Sequence, residues 1–189
     1  DMVDPPTKTP GGLTHAACVA KVAELWHESA EECAKRKIKL VWEFEPGFYL
    51  NKPSEVVDMA YRVDHANFSI MFDACHAYMG AVVGSRHEGK KELLPGGVVQ
   101  YAHMLTGKIG AIHLIDSDGT LHGDETSTHA PMGTGKIDFD KVLVYYGDTT
   151  ASMPFYLSKD LDYTSNAYSP ANLQSIKAAN PDVTVLGGP

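Results

Sequence analysis

Positive charge is scarce in this sequence. Sixteen lysines and arginines stand against 24 aspartates and glutamates, which gives a formal net charge of −8 at pH 7. A nucleic-acid-binding domain needs a basic patch or stripe to meet the phosphate backbone. We therefore expect no nucleic-acid partner. A small anionic substrate stays possible, because a local field can oppose the net charge.

Cysteine is also scarce, and long apolar runs are absent. The three cysteines, Cys18, Cys33 and Cys75, include no C-x-x-C pair. A sparse, odd number indicates reduced thiols rather than a disulfide framework, so we expect a cytoplasmic protein. No apolar run approaches the roughly 20 residues that a membrane-spanning helix needs, and no membrane partner is expected.

A first strand is predicted over residues 38–45. Its apolar side chains alternate with mostly polar ones, and the apolar set is Ile38, Leu40, Trp42 and Phe44. This period of two is typical of a strand and places Glu43 and Glu45 together on the opposite face. Pro46 and Gly47 then end the strand. Two carboxylates at the carboxyl end of an otherwise apolar strand suggest a site.

The same pattern recurs three times along the chain. Further strands are predicted over 68–73, 109–115 and 154–160, and they carry Asp73, His113 and Asp160 at or near their carboxyl ends. Predicted helices cover 15–36, 53–65, 96–106 and 139–146, and a last one opens at 169–170. Strands that alternate with helices indicate an α/β fold with a parallel sheet, here as a single domain over 1–189. An open doubly wound sheet and part of a (β/α)₈ barrel both fit this order, since a full barrel takes about 250 residues.

Two polar segments between these elements are predicted to be loops. Residues 84–95 combine charge with glycine and are expected to form a mobile lid. Residues 116–136 are rich in Gly, Thr and His and are also expected to form a loop.

The four strand-end residues Glu43, Asp73, His113 and Asp160 form a donor set of three carboxylates and one imidazole. The carboxyl ends of parallel strands meet at one edge, where such proteins place their sites. These donors suit a divalent metal, namely Mn²⁺, Mg²⁺, Co²⁺ or Zn²⁺. The alternative is that each carboxylate only caps a neighbouring helix or pairs with a lysine.

Four runs of residues resemble the xylose isomerase-like TIM-barrel superfamily. Residues 72–79 (FDACHAYM) resemble its D-x-x-H signature, and the other three runs are 42–47 (WEFEPG), 112–119 (IHLIDSDG) and 128–139 (THAPMGTGKIDF). The resemblance covers roughly residues 16–165 and corresponds to the C-terminal half of the family's barrel. It implies a (β/α)₈ TIM-barrel type fold to which this chain supplies about four βα units. A partner half-barrel or a homo-oligomer is then expected to complete the barrel.

The resemblance also implies roles for single residues. Glu43, Asp73 and His113 fall on metal ligands, and His76 falls on a substrate-contacting position. The family's last ligand is usually a glutamate, for which this chain offers Asp160 or, as the alternative, Asp162.

Two further residues are expected beside the substrate. In the AP endonuclease branch, the histidine that matches His129 follows an aspartate by two residues, and both hold an extra zinc. Ser127 occupies that aspartate's position here, so His129 is expected to line the pocket or order its loop. Glu45 is expected to contribute an ion pair inside the barrel mouth or, alternatively, a second acid/base group.

The function implied is that of an enzyme, a divalent-metal-dependent isomerase or epimerase acting on a sugar, a sugar phosphate or a related polyol. By the resemblance, Glu43 removes a proton to give a metal-stabilised enediolate, and Asp160 returns a proton. The alternatives are a metal-dependent inosose-type dehydratase and a non-catalytic carbohydrate-binding barrel.

Overall fold

The computed structural model describes residues 10–123, 126–139 and 141–142. The chain divides into two compact units, one ending at Ile137 and the other starting at Asp138. All elements below belong to the first unit. The single domain over 1–189 stays a prediction.

The helices predicted at 15–36, 53–65 and 96–106 and the strands predicted at 38–45, 68–73 and 109–115 are all present in the first unit, with the same or shorter bounds and with additional elements. The elements are α1 (His15–Lys35), β1 (Leu40–Glu43), α2 (Pro53–Arg62), β2 (Phe68–Asp73), α3 (Ala74–Tyr78), α4 (Gly97–Met104), β3 (Ile109–His113), β4 (Asp116–His122) and β5 (Thr126–Ala130). A π-helical turn, Met79–Val83, continues α3. The predicted strand 154–160 and the predicted last helix lie outside the described residues, as does most of the helix predicted over 139–146.

Strands β1, β2 and β3 form a parallel sheet in that order. The register places Asp73 directly beside His113. It shifts between Ile70 and Met71, where Gly110 faces Ser69 so closely that a Cβ would collide with the serine side chain. The α/β prediction with a parallel sheet is therefore confirmed.

The predicted apolar face of β1 packs against aromatic side chains of the helices. Trp26 of α1 lies 4.8 Å from Trp42 between ring centroids, and Tyr101 of α4 lies 5.1 Å from Phe44. Tilted and edge-to-face pairs of this kind stabilise a core beyond the area they bury. Because Trp42 and Phe44 turn toward the helices, the alternation of the strand turns Glu43 the other way.

Helix α1 begins at a capped N-terminus and packs through one face only. The Thr14 side chain accepts a hydrogen bond from the Ala17 backbone N–H at 3.2 Å, which satisfies one free donor of the first turn. The buried residues of α1 are Cys18, Val19, Ala23 and Ala30.

In the part of the chain that the structure describes, no helix combines the length and apolarity needed to cross a membrane.

The expectation of a loop over 116–136 is wrong for most of that segment. Strands β4 and β5 form an antiparallel hairpin in which Ser117 pairs with His129 and Leu121 pairs with Ser127. Both strands consist mostly of polar residues, so no apolar alternation marked them in the sequence. The threonines were the available signal, because β-branched residues favour strands.

The mobile lid expected over 84–95 stays a prediction, and the structure shows contacts that hold part of this segment. Ser85 and His87 are buried, and the Asn51 side chain donates a hydrogen bond to the Arg86 carbonyl at 3.1 Å. Glu92 accepts from the backbone N–H and the hydroxyl of Ser54 at the start of α2, at 2.8 and 2.6 Å. A carboxylate at a helix N-terminus stabilises the helix, so these contacts anchor the segment.

His87 stabilises the segment 84–95 through two hydrogen bonds, one of which depends on pH. Its Nε2–H donates to the Asn51 carbonyl at 3.2 Å, and its Nδ1 accepts from the Glu92 N–H at 3.2 Å. Burial lowers the pKa of His87, and protonating Nδ1 would remove the bond from Glu92. Histidine in the unfolded chain keeps its ordinary pKa near 6.5 and therefore binds a proton more readily than His87 does in the folded protein. The free energy of unfolding should consequently fall as the pH drops below about 6.5.

We expect the free energy of unfolding to decrease less between pH 7 and pH 5 in His87→Gln than in the wild-type protein. Denaturant unfolding at both pH values measures the difference. His122→Gln, at an exposed position, should keep the wild-type pH dependence. Equal pH dependence of His87→Gln and wild type would contradict the role of His87.

Candidate metal and substrate site

Three of the predicted ligands end three neighbouring strands. Glu43, Asp73 and His113 are the last residues of β1, β2 and β3. A ligand atom from each lies within 4.8 Å of the other two. The parallel sheet thus brings together residues that are separated by up to 70 positions in sequence.

His113 lies between the two carboxylates. Its Nδ1 donates to Glu43 Oε1 at 2.8 Å and lies 3.4 Å from Asp73 Oδ2. The side chains of Glu43 and His113 are 39% and 44% exposed, whereas that of Asp73 is fully buried. The group therefore has a buried floor and a side open to solvent, as a site for an entering ligand requires.

Asp73 provides the test of whether these residues fit a metal ion. Its Oδ1 accepts from the His76 N–H at 2.9 Å and so caps α3. Its Oδ2 is buried and has no hydrogen bond to any residue that the structure describes. A buried carboxylate oxygen without a hydrogen bond is costly, and a divalent cation would satisfy it. The donors O, O and N match the preference of Mg²⁺, Mn²⁺ and Zn²⁺.

His76, Glu45 and His129 lie beside this group. His76 Nδ1 lies 2.9 Å from the Ser127 hydroxyl oxygen, and its Nε2 lies 4.0 Å from Glu45 Oε2. The rings of His76 and His129 are 5.2 Å apart between centroids. Burial lowers the pKa of His76 to about 4, although the Asp73 carboxylate opposes this shift. At neutral pH His76 is therefore an uncharged imidazole that can both donate and accept.

The β4–β5 hairpin forms one wall of the site. The Thr126 hydroxyl donates to Glu45 Oε2, which joins β5 to the segment that follows β1, two residues after Glu43. Ser127, on the same strand, contacts His76. Sequence reasoning missed the contributions of both residues, because it treated this segment as a loop.

Asp116 holds the segment that follows the hairpin. Its fully buried carboxylate accepts from four backbone N–H groups, those of Ser117, Gly133, Gly135 and Ile137, at 2.8 to 3.1 Å. Burial raises the pKa of Asp116, but the four hydrogen bonds together lower it below its ordinary value. A Cβ at Gly135 would collide with this carboxylate, which is why a glycine stands there.

The sequence-predicted site residues therefore divide into two sets. The structure brings Glu43, Asp73 and His113 together and places Glu45, His76 and His129 next to them. Asp160 and its alternative Asp162 lie outside the described residues. The roles of all these residues stay predictions.

Comparison with known proteins agrees with this architecture. A family model described as xylose isomerase-like TIM barrel matches residues 3–145. No curated protein sequence matches the chain.

Three solved structures are similar to the chain in fold. A xylose isomerase domain protein from Planctomyces limnophilus has 13% identity and a TM-score of 0.50, over 75% of this chain and 43% of that one. The probable 3-DHS dehydratase AsbF, involved in petrobactin synthesis, from Bacillus anthracis has 13% identity and a TM-score of 0.55, over 93% and 60%. A xylose isomerase-like TIM barrel protein from Mycobacterium smegmatis, in complex with magnesium, has 14% identity and a TM-score of 0.51, over 91% and 55%. At such identities the likeness concerns the fold, and the chain spans about half the length of these structures.

Proposed function

Because the chain belongs to the xylose isomerase-like TIM barrel family, we propose that it contributes to the divalent-metal-dependent isomerisation or epimerisation of a sugar or sugar phosphate. The membership confirms the fold predicted from the sequence, and the described sheet is part of such a barrel. One observation carries the proposal: Glu43, Asp73 and His113 converge around a buried carboxylate oxygen that has no hydrogen bond within the described residues.

Glu43, Asp73 and His113 would hold the metal, with Asp160 or Asp162 proposed as a further ligand. A divalent ion of the Mn²⁺, Mg²⁺, Co²⁺ or Zn²⁺ class would polarise a substrate carbonyl. Asp73 is suited to be the fixed anchor, since its Oδ1 is held by the His76 N–H at 2.9 Å. Ligands oriented in this way by hydrogen bonds bind metals more tightly.

We assign proton transfer to Glu43, because its side chain is partly exposed and can therefore reach a substrate. It would take a proton from the carbon next to the carbonyl, and Asp160 would return one on the other face of the substrate. Transfer by a positioned carboxylate is worth roughly 10²–10⁴ in rate. The uncharged His76 would hydrogen-bond a sugar hydroxyl, with Glu45 and His129 lining the same wall.

The proposal is tested by activity and metal content measured together. Aldose–ketose conversion and epimerisation are followed over a panel of sugars and sugar phosphates, with the purified protein before chelation, after chelation and after Mn²⁺ or Mg²⁺ is restored. We expect activity that chelation removes and metal restores. Loss of water from a cyclic polyol would identify a dehydratase instead, and sugar binding without turnover would identify a carbohydrate-binding barrel.

We expect Asp73→Asn to retain less than about a tenth of the metal bound by the wild-type protein. Mutating a residue that only hydrogen-bonds to a metal ligand already lowers metal affinity 10–100-fold, and Asp73 is proposed as a ligand itself. The amide can still cap α3 through its oxygen, so the fold should persist. Metal analysis after dialysis measures the effect. Asp58→Asn, whose carboxylate pairs with Arg62 on the surface of α2, is the matched control and should bind metal normally. Full metal content in Asp73→Asn would refute the assignment.

A further inference from the structure

Ser127 lies against the ring of His76 on the wall that the β4–β5 hairpin forms. Its hydroxyl oxygen is 2.9 Å from His76 Nδ1, and both residues are buried, with 3% of Ser127 and 5% of His76 exposed. We propose that Ser127 is a positioning residue, whose hydroxyl donates to Nδ1 and thereby holds His76 in the neutral form that carries its proton on Nε2. The consequence for catalysis rests on the proposed function, whereas the tautomer is a property of the protein without substrate.

Glu45 favours a proton on Nε2 rather than on Nδ1. One nitrogen of a neutral imidazole donates and the other accepts, and a serine hydroxyl can meet either of them. On the other side of the ring, Nε2 lies 4.0 Å from Glu45 Oε2. A carboxylate only accepts, so it attracts a proton on Nε2, whereas an unprotonated Nε2 would face a second acceptor. The Thr126 hydroxyl donates to Glu45 Oε2 and keeps this carboxylate in place.

The neighbours of the Ser127 hydroxyl favour the same tautomer. Besides His76 Nδ1, the hydroxyl has the Cys75 thiol within hydrogen-bond reach. The Cys75 S–H donates to the Thr128 carbonyl at 3.4 Å, so its sulfur offers Ser127 only lone pairs. Because sulfur is a weak acceptor, the hydroxyl hydrogen goes to the imidazole nitrogen instead. Nδ1 is then the unprotonated nitrogen of His76.

The position of the proton decides what His76 can bind. The His76 backbone N–H donates to Asp73 Oδ1 at 2.9 Å, and the bond from Ser127 holds the ring at its Nδ1 side, so Nε2–H faces Glu45. A substrate oxygen beside Nε2 must therefore accept. A hydroxyl about 2.8 Å from both Nε2 and Glu45 Oε2 would accept from His76 and donate to Glu45. Ser127 would in this way make the site select a hydroxyl at this point of the substrate.

NMR measures the tautomer directly, since the ¹⁵N chemical shifts of Nδ1 and Nε2 depend on which of them carries the proton. Protein with ¹⁵N-labelled histidines is studied without substrate, in buffer with diamagnetic Mg²⁺, at pH 8, above the ordinary histidine pKa of about 6.5. The signals that His76→Gln removes belong to His76. We expect the Nε2–H form to predominate in the wild-type protein. In Ser127→Ala the ratio of Nε2–H to Nδ1–H should fall roughly 2- to 12-fold, as the loss of one hydrogen bond implies.

The chain offers references for both tautomer and substitution. His27 Nδ1 lies 2.7 Å from the Val63 carbonyl oxygen, which only accepts, so His27 should show the Nδ1–H pattern in the same spectrum. Ser127→Thr keeps a hydroxyl and should keep the wild-type ratio at His76. Ser29→Ala, which removes an exposed hydroxyl bonded to the Leu25 carbonyl within α1, should also leave that ratio unchanged.

Two results would overturn the proposal. One is a predominant Nδ1–H form of His76 in the wild-type protein, which is decisive even if Ser127→Ala does not fold. The other is an unchanged ratio in a folded Ser127→Ala variant. Neither result would contradict the proposed isomerase function, because the spectra are recorded without substrate and that function is tested by turnover.

Discussion

Replacing Glu43 by glutamine is expected to lower kcat by a factor on the order of 10²–10⁴ on the best sugar substrate. The amide keeps the shape of the side chain, and its oxygen can still accept the bond that His113 Nδ1 donates at 2.8 Å. It cannot accept a proton from carbon. The melting temperature should therefore change little while turnover is lost, and kcat, metal content and a melting curve together measure this.

Glu45→Gln is the matched control for Glu43→Gln. Glu45 is two residues further along the chain and accepts a hydrogen bond from the Thr126 hydroxyl, which a glutamine oxygen can also accept. We expect a much smaller loss of kcat. An inactive Glu45→Gln beside an active Glu43→Gln would mean that the wrong carboxylate is assigned to proton transfer. Full activity in both variants would remove this strand from the acid–base chemistry.

Replacing Asp116 by alanine is expected to lower the free energy of unfolding by about 3 kcal/mol or more, because hydrogen bonds to a charged group each contribute roughly 1.5–3 kcal/mol and are not fully additive. The change leaves four backbone N–H groups without their carboxylate. The hydrogen bonds from Ser117 and Ile137 are buried, and buried donors without acceptors are among the few causes of so large an effect. Denaturant unfolding at neutral pH measures it.

Asp116→Asn refines the same test. Oδ1 accepts from Ser117 and Ile137, and Oδ2 accepts from Gly133 and Gly135. An amide keeps one of these oxygens and turns N–H groups toward the other pair of donors, so the variant should also be destabilised. Asp118→Asn, at a half-buried position whose carboxylate accepts hydrogen bonds from the backbone N–H and hydroxyl of Thr120 in its own turn, should change stability by less than about 0.5 kcal/mol. Equal, small effects at both positions would show that Asp116 does not hold this segment.

The sequence by itself determined the parallel sheet and the strand ends of the site. In β1 and the residue after it, the alternation of Trp42 and Phe44 with Glu43 fixes which side chains face the helices, since an extended chain turns successive residues to opposite faces. Asp73 and His113 end the next two strands, and parallel strands place those ends at one edge. These are local patterns with a fixed geometric consequence, so they could be read without coordinates.

Only the tertiary structure decided what surrounds those strand ends. The polar β4–β5 hairpin shows no apolar period, and its bonds to the site join residues far apart in sequence, as Thr126 joins Glu45. The same holds for Asp116 with its four backbone donors and for Cys75 beside His129. A buried polar group is stable only when hydrogen-bond partners surround it. Those partners come from distant parts of the sequence, so they are identified only once the chain has folded.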